Sequence, residues 1–139
     1  AVNNPAGLAP TGWHIATDQE WKELESFIGM EASSVNRTGW RGSDEGDKLK
    51  ITGINNWYRY DPVWGLNTYG FSALAGSCRI ANGTFGDPGV PYTGFWWTGT
   101  EFTGNTEEAY YRYLDYKTSG IFRQHVSKNY GCSIRCVKD

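Results

Sequence analysis

Residues 17–29 constrain the fold of this chain more than any other stretch. Thr17-Asp18-Gln19-Glu20 has the form of a capping box, in which the Thr17 side chain accepts from the Glu20 amide and the Glu20 carboxylate reaches back. Trp21, Leu24 and Ile28 then recur at helical spacing, with Phe27 beside them. Gly29 is placed to end the run. The spacing predicts a helix over residues 18–28 with its apolar stripe turned to a core. Nothing later is as clear. Ala32-Ser33-Ser34-Val35 suits a short turn or a second helix, and residues 42–47 read as a polar loop. Residues 48–70 are irregular, with Trp57, Tyr58, Tyr60 and Trp64 interleaved with Asn, Pro and Gly. A loop this long is uncommon unless it is functional or packed by its own side chains, and the aromatics suit that packing.

After Gly70 the period changes to two. Phe71-Ser72-Ala73-Leu74 alternates. Cys78-Arg79-Ile80 and Thr84-Phe85 flank Ala81-Asn82-Gly83, and Asn-Gly is the strongest short hairpin signal. Gly94-Phe95-Trp96-Trp97-Thr98 reads as a buried strand. Residues 110–116 and 121–126 read as two strands joined around Thr118-Ser119-Gly120, and residues 132–137 as the last strand. The 139 residues fit one domain, with no internal repeat or linker. The fold class is therefore α+β: one or two helices, then antiparallel strands and long loops. Eighteen Gly, nine Tyr and seven Trp agree with that reading.

Several function classes fall away. The net charge is −2 and no basic stripe is present, which argues against nucleic acid. No run of about 18 apolar residues exists, so no membrane insertion by a helix is expected. The opening Ala1-Val2-Asn3-Asn4 reads as a processed or trimmed start. No nucleophile elbow, zinc-protease helix or phosphate loop occurs, and an enzyme is not expected. His14, between Trp13 and Ile15, suits a core or capping role; His125 lies in a polar strand without a fixed partner. Glu107 and Glu108 are adjacent, so on a strand they point opposite ways and form no carboxylate pair. Asp44, Glu45 and Asp47 are a weak calcium candidate; the same charges serve equally in a solvated turn, and the EF-hand pattern is absent.

Three cysteines allow one disulfide and one free thiol. On a strand, the Cα atoms of Cys132 and Cys136 would lie roughly 13 Å apart, against the limit of about 7 Å for a bridge. Any bridge then includes Cys78. Cys78–Cys136 is the favoured pairing, and three reduced thiols packed as small apolar groups are the alternative.

Residues 109–126 carry the candidate site. Tyr110, Arg112, Leu114 and Tyr116 share one strand face, which Leu114 marks as inward. Tyr111, Tyr113, Asp115 and Lys117 then point outward. In the return strand an inward Ile121 leaves Phe122 and Gln124 outward, with His125 and Val126 close by. Rigid aromatics among mixed polar groups resemble a paratope. The candidate ligand-binding residues are Tyr111, Tyr113, Asp115, Lys117, Phe122, Gln124 and His125. The other reading is an ordinary tyrosine-rich β surface covered by residues 50–69.

The motifs in order carry a resemblance. Thr11-Gly12-Trp13-His14 runs into Thr17-Asp18-Gln19-Glu20-Trp21, followed by Lys48-Leu49-Lys50 and Gly70-Phe71-Ser72-Ala73-Leu74. Trp96-Trp97-Thr98, Ala109-Tyr110-Tyr111-Arg112-Tyr113-Leu114 and Gly131-Cys132-Ser133-Ile134-Arg135-Cys136-Val137-Lys138-Asp139 complete the series. Together they resemble the Fibrobacter succinogenes major paralogous domain family over nearly the whole chain. The resemblance implies a C-type-lectin-like fold with two helices and two small antiparallel sheets, related in shape to the formylglycine-generating enzymes. It also implies an exported, surface-attached context and, in some similar domains, diversification by retroelements of the last strands. The sugar–calcium motifs of true C-type lectins are absent, and Cys132/Cys136 do not have the spacing of the copper-binding cysteine pair of those enzymes. Family members often carry a further strand before this chain's first residue, whose absence would leave the edge at 132–137 open or completed by another chain. The expectation is an extracellular or cell-surface recognition domain, part of a larger exported protein, that binds a carbohydrate or protein ligand. A passive assembly module joined to other chains of a surface structure is the alternative.

Overall fold

Helix α1 (Asp18–Phe27) forms where the capping box predicts it in the computed structural model, which describes residues 7–53, 55–60, 65–86 and 89–139. Trp64 and the first four residues lie outside the described residues. Thr17 Oγ1 accepts from the Glu20 amide at 3.2 Å, and the Glu20 carboxylate accepts from the Thr17 amide at 2.8 Å. Ile28 caps the helix, and Gly29 follows at φ +118°, a conformation costly for any residue with a Cβ. Trp21 and Ile28 are buried, whereas Phe27 is 74% exposed and stands beside the stripe. The buried helix face also carries Asp18 and Glu25, two acids that a search for apolar spacing passes over.

Helix α2 (Ala32–Val35) is a single turn, followed by strand β2 (Gly39–Arg41) and helix α3 (Glu45–Leu49). The polar loop expected over residues 42–47 is thus corrected: its second half is the start of α3, with Glu45 and Asp47 buried. These charges turn inward because each finds a partner. Glu45 Oε2 accepts from the Ser43 amide at 2.6 Å and the Asp44 amide at 3.1 Å. Asp47 accepts from Lys50 Nζ at 3.0 Å, and Asp44 from Lys48 Nζ at 2.7 Å.

Strands β3 (Thr93–Phe102), β4 (Asn105–Asp115) and β5 (Ile121–Ser127) join β2 in an antiparallel sheet of order β2-β5-β4-β3. One face receives α1. There Trp96, Leu114 and Ile121 pack in one core with Trp21, Ile28, Leu49, Trp57 and Ala73. The irregular residues beyond α3 are indeed pinned by an aromatic: buried Trp57 donates its Nε1–H to Ala73 O at 2.9 Å. On the same sheet face Arg112 pairs across to Arg123, and Arg41 follows on β2. Their guanidinium groups meet the two helix acids: Arg112 and Arg123 bind Asp18 at 2.8 and 2.7 Å, and Arg41 binds Glu25 at 2.9 Å. Burial alone would raise the Asp18 carboxyl, but hydrogen bonds and charge from Arg123 and Arg112 outweigh it and hold the group far below the usual carboxylate range.

The second sheet pairs β1 (Trp13–Ile15) with β6 (Cys136–Lys138), antiparallel. The expectation of an open edge at 132–137 is corrected: β6 finds its partner inside this chain, and Ala16 N→Arg135 O at 2.9 Å extends the contact. The last strand is shorter than expected, because Ser133 is drawn instead onto β3, accepting from the Trp97 amide and donating to Phe95 O. Residues 71–74 and the arms flanking Asn82-Gly83 are likewise reduced to isolated bridges at Ala73 and at Arg79–Phe85. The turn itself forms, with Gly83 at φ +93° and Ile80 N→Thr84 O at 2.8 Å, but the runs between successive glycines are too short to propagate a ladder. The architecture is α+β, with a few short helices and antiparallel sheets.

Candidate functional site

The sheet face opposite α1 carries a row of four aromatic rings, one from each strand. Trp40 lies across from Phe122, Phe122 from Tyr113 and Tyr113 from Phe95. Ring centroids are separated by 5.3 Å for Trp40–Phe122, 5.9 Å for Phe122–Tyr113 and 4.6 Å for the stacked Tyr113–Phe95 pair. Strand alternation puts Gln124, Tyr111 and Trp97 in the next row. Cross-strand aromatic pairs each add roughly 0.2–1 kcal/mol, so the row fixes its own rotamers. Trp40 remains 43% exposed, and Phe122, Tyr113 and Phe95 are half-buried.

The predicted alternation of inward and outward residues holds from Tyr111 to Asp115 and from Ile121 to Gln124. Arg112, Leu114, Ile121 and Arg123 are buried on the α1 face, and Tyr111, Tyr113, Phe122 and Gln124 share the other. Asp115 closes the end of that face: Tyr113 Oη donates to its Oδ2 at 2.6 Å, and the Lys117 amide to its Oδ1 at 2.8 Å. Burial, then the Asp115 carboxylate, pushes the Tyr113 hydroxyl above its ordinary value, so it stays a donor.

Two predicted site residues do not join them. Lys117 lies past the end of β4, its Nζ 5.1 Å from the centroid of the Tyr116 ring and 5.9 Å from that of Tyr60. His125 has the parity of Arg123 and points to the opposite face, because it is one residue beyond Gln124 on a regular strand. There it stacks on Phe102 at 3.7 Å and bonds Glu108 through Nδ1.

Reading the sequence missed Trp40, Phe95 and Trp97. The last two sit in the run 94–98, which alternates once the strand is known to have two packed faces. Trp40 stands with Arg41 between Gly39 and Gly42, a run too short to show a pattern.

The face is not bare. A cleft of about 210 Å³ opens between it and the segment around the Asn82-Gly83 turn, lined by Ile80, Phe95, Tyr111, Val126, Tyr130 and Cys132 among others. Tyr111 is therefore half-buried, and its hydroxyl is raised first by burial. A second cleft of about 200 Å³ lies behind it, with Trp97 and Ala109 at its floor, and shares Tyr130 and Cys132. Ligand pockets for drug-sized molecules run to roughly 300–1,000 Å³, so each cleft suits one ring or one side chain. The covering segment is thus residues 78–86 with 130–132, where residues 50–69 were the expected cover.

Cys78 Sγ lies 3.2 Å from Cys132 Sγ, which corrects the favoured pairing of Cys78 with Cys136; all three cysteines are free thiols. Cys136 is carried away by β6, where it pairs with Ile15. The calcium candidates Asp44, Glu45 and Asp47 are turned to separate partners, and among the described residues no three His, Cys, Asp or Glu side chains are placed to hold a metal ion. No helix among the described residues is long and apolar enough to cross a membrane.

A helix-backed antiparallel sheet whose other face is a ladder of aromatic rings, part-covered by residues 78–86 and 130–132, defines a small α+β fold built around one aromatic sheet face. The chain belongs to the Fibrobacter succinogenes major domain family, whose model matches residues 1–138. No curated protein and no solved structure matches it.

Proposed function

We propose that this chain is a non-catalytic ligand-recognition domain of C-type-lectin-like fold, displayed outside the cell. It would take a carbohydrate or protein ligand on the Trp40–Phe122–Tyr113–Phe95 face. The observation that carries this reading is the ring row itself. Four aromatics in register on the face without a helix are more than the fold needs, since the core lies on the other side. Stiff rings offer contact area at low entropy cost, and Gln124, Asp115 and the Tyr113 hydroxyl supply direction at the margin. The adjoining cleft suits a single anchoring group beside the flat row. The same positions would be those changed in a retroelement-diversified protein.

The test is a binding screen of the purified chain against soluble glycans and surface proteins, with and without calcium, read by tryptophan fluorescence and calorimetry. Trp40→Ala and Gln124→Ala are compared, with circular dichroism to confirm folding. Binding that weakens at least tenfold in folded Trp40→Ala supports the face, a loss of ~1.4 kcal/mol or more. A ligand bound equally well by both variants would place the site elsewhere.

A further inference from the structure

Cys78 and Cys132 face each other across a short antiparallel contact. The Arg79 amide donates to Gly131 O at 2.8 Å, and the Gly131 amide donates to Arg79 O at 2.7 Å. Arg79 and Gly131 thus exchange both hydrogen bonds, which makes them a hydrogen-bonded antiparallel pair. The neighbouring pair, Cys78 opposite Cys132, is then of the non-hydrogen-bonded kind, in which Cα atoms approach to about 4.5 Å. Disulfides span Cα separations of roughly 4.4–6.8 Å, so the backbone is already in range. The side chains point at each other, with the two Sγ atoms 3.2 Å apart. Two independent features, ladder register and thiol position, agree.

We propose that Cys78 and Cys132 are an oxidisable pair that closes to a disulfide, leaving Cys136 as the free thiol. The oxidant is a disulfide, either of low molecular weight, such as glutathione disulfide, or that of an exchange enzyme. One cysteine thiolate attacks the oxidant's disulfide, forms a mixed disulfide and releases one thiol. The second cysteine, losing its proton, displaces the other thiol and closes the bridge. Two electrons pass from the cysteine pair to the oxidant, whose disulfide is reduced to two thiols. The bond would join positions 54 residues apart and tie the segment around the Asn82-Gly83 turn to the chain after β5. Cys132 lines both clefts and Cys78 one of them, so closure fixes the wall they share. The inference stands whether or not the aromatic face binds a ligand.

The full chain is equilibrated to constant composition in a glutathione redox buffer, quenched with acid, alkylated and mapped without reduction. The expected result is a linked Cys78–Cys132 peptide, a mass lower by two hydrogens and a single alkylated site at Cys136. The Tm of the oxidised form should exceed that of the reduced form by roughly 10 °C. Cys136→Ser should keep both the link and the shift. Three alkylated cysteines under oxidising conditions, or a link that includes Cys136, would overturn the assignment.

Discussion

His14 ties together parts of the chain that its sequence position does not suggest. Its Nδ1 lies 2.6 Å from Asp139 Oδ1 and its Nε2 lies 2.7 Å from Glu20 Oε1, the same carboxylate that closes the α1 cap. Its place before the helix suited a core or capping role; the side chain is part-exposed and reaches the cap only through Glu20. Asp139, 125 residues away, was not, because strand pairing brings it there. Hydrogen bonds from Asp139 and then Glu20 raise the His14 pKa above its ordinary value. Protonated His14 therefore favours the folded state. That contribution is full below about pH 6.5 and is lost as pH rises through the raised folded value. The Tm of the wild type should fall relative to that of His14→Gln between about pH 6 and pH 9. The effect is small, since 41% of the side chain is exposed. Parallel Tm–pH curves for the two proteins would refute the clamp.

At the scale of elements, helix α1 was legible almost to the residue, because a cap, a stripe and a glycine stop all agree. The parity of β4 and β5 was legible because Leu114 and Ile121 mark the inward side. What was not legible is that inward Arg112 and Arg123 need acids, and that the helix supplies them within its own apolar face. Glu25 shows the cost of that arrangement. It is fully buried and binds both Arg41 and Arg112. Removing it takes from Arg41 its carboxylate partner and leaves Arg112 with that of Asp18 alone. Glu25→Ala should destabilise by about 3–5 kcal/mol, read as a lower urea midpoint. A loss below ~1 kcal/mol would mean that the arginines find other partners, and the network would be incidental to the docking of α1. The short strands were over-read for a related reason: alternation gives a face but not a partner. Among the described residues Ala73 and Ser133 each form a single isolated bridge, to Lys50 and to Trp96.

Across the whole molecule, α1 is fastened to every strand of the larger sheet through two acids. The Asp18 amide donates to Thr100 Oγ1 of β3, and its carboxylate accepts from Arg112 of β4 and Arg123 of β5. Glu25 reaches Arg41 of β2. This charged layer therefore docks α1 on the sheet whose far side carries the aromatic face. The Asp18 carboxyl titrates below the ordinary aspartate value in the folded state, because Arg123 and Arg112 overcome the burial that would raise it. Its contribution is present above that value and is lost as pH falls toward the folded pKa. Acid should thus loosen the helix from the sheet, while the Tyr113 and Tyr111 hydroxyls, raised above their ordinary value, stay protonated throughout. The urea midpoint of the wild type should drop steeply from about pH 4 toward pH 2. Asp18→Asn, which cannot lose this charge, should start lower at neutral pH and fall less over the same interval. Equal slopes would show that other carboxylates govern acid unfolding, and that α1 stays docked without the Asp18 link.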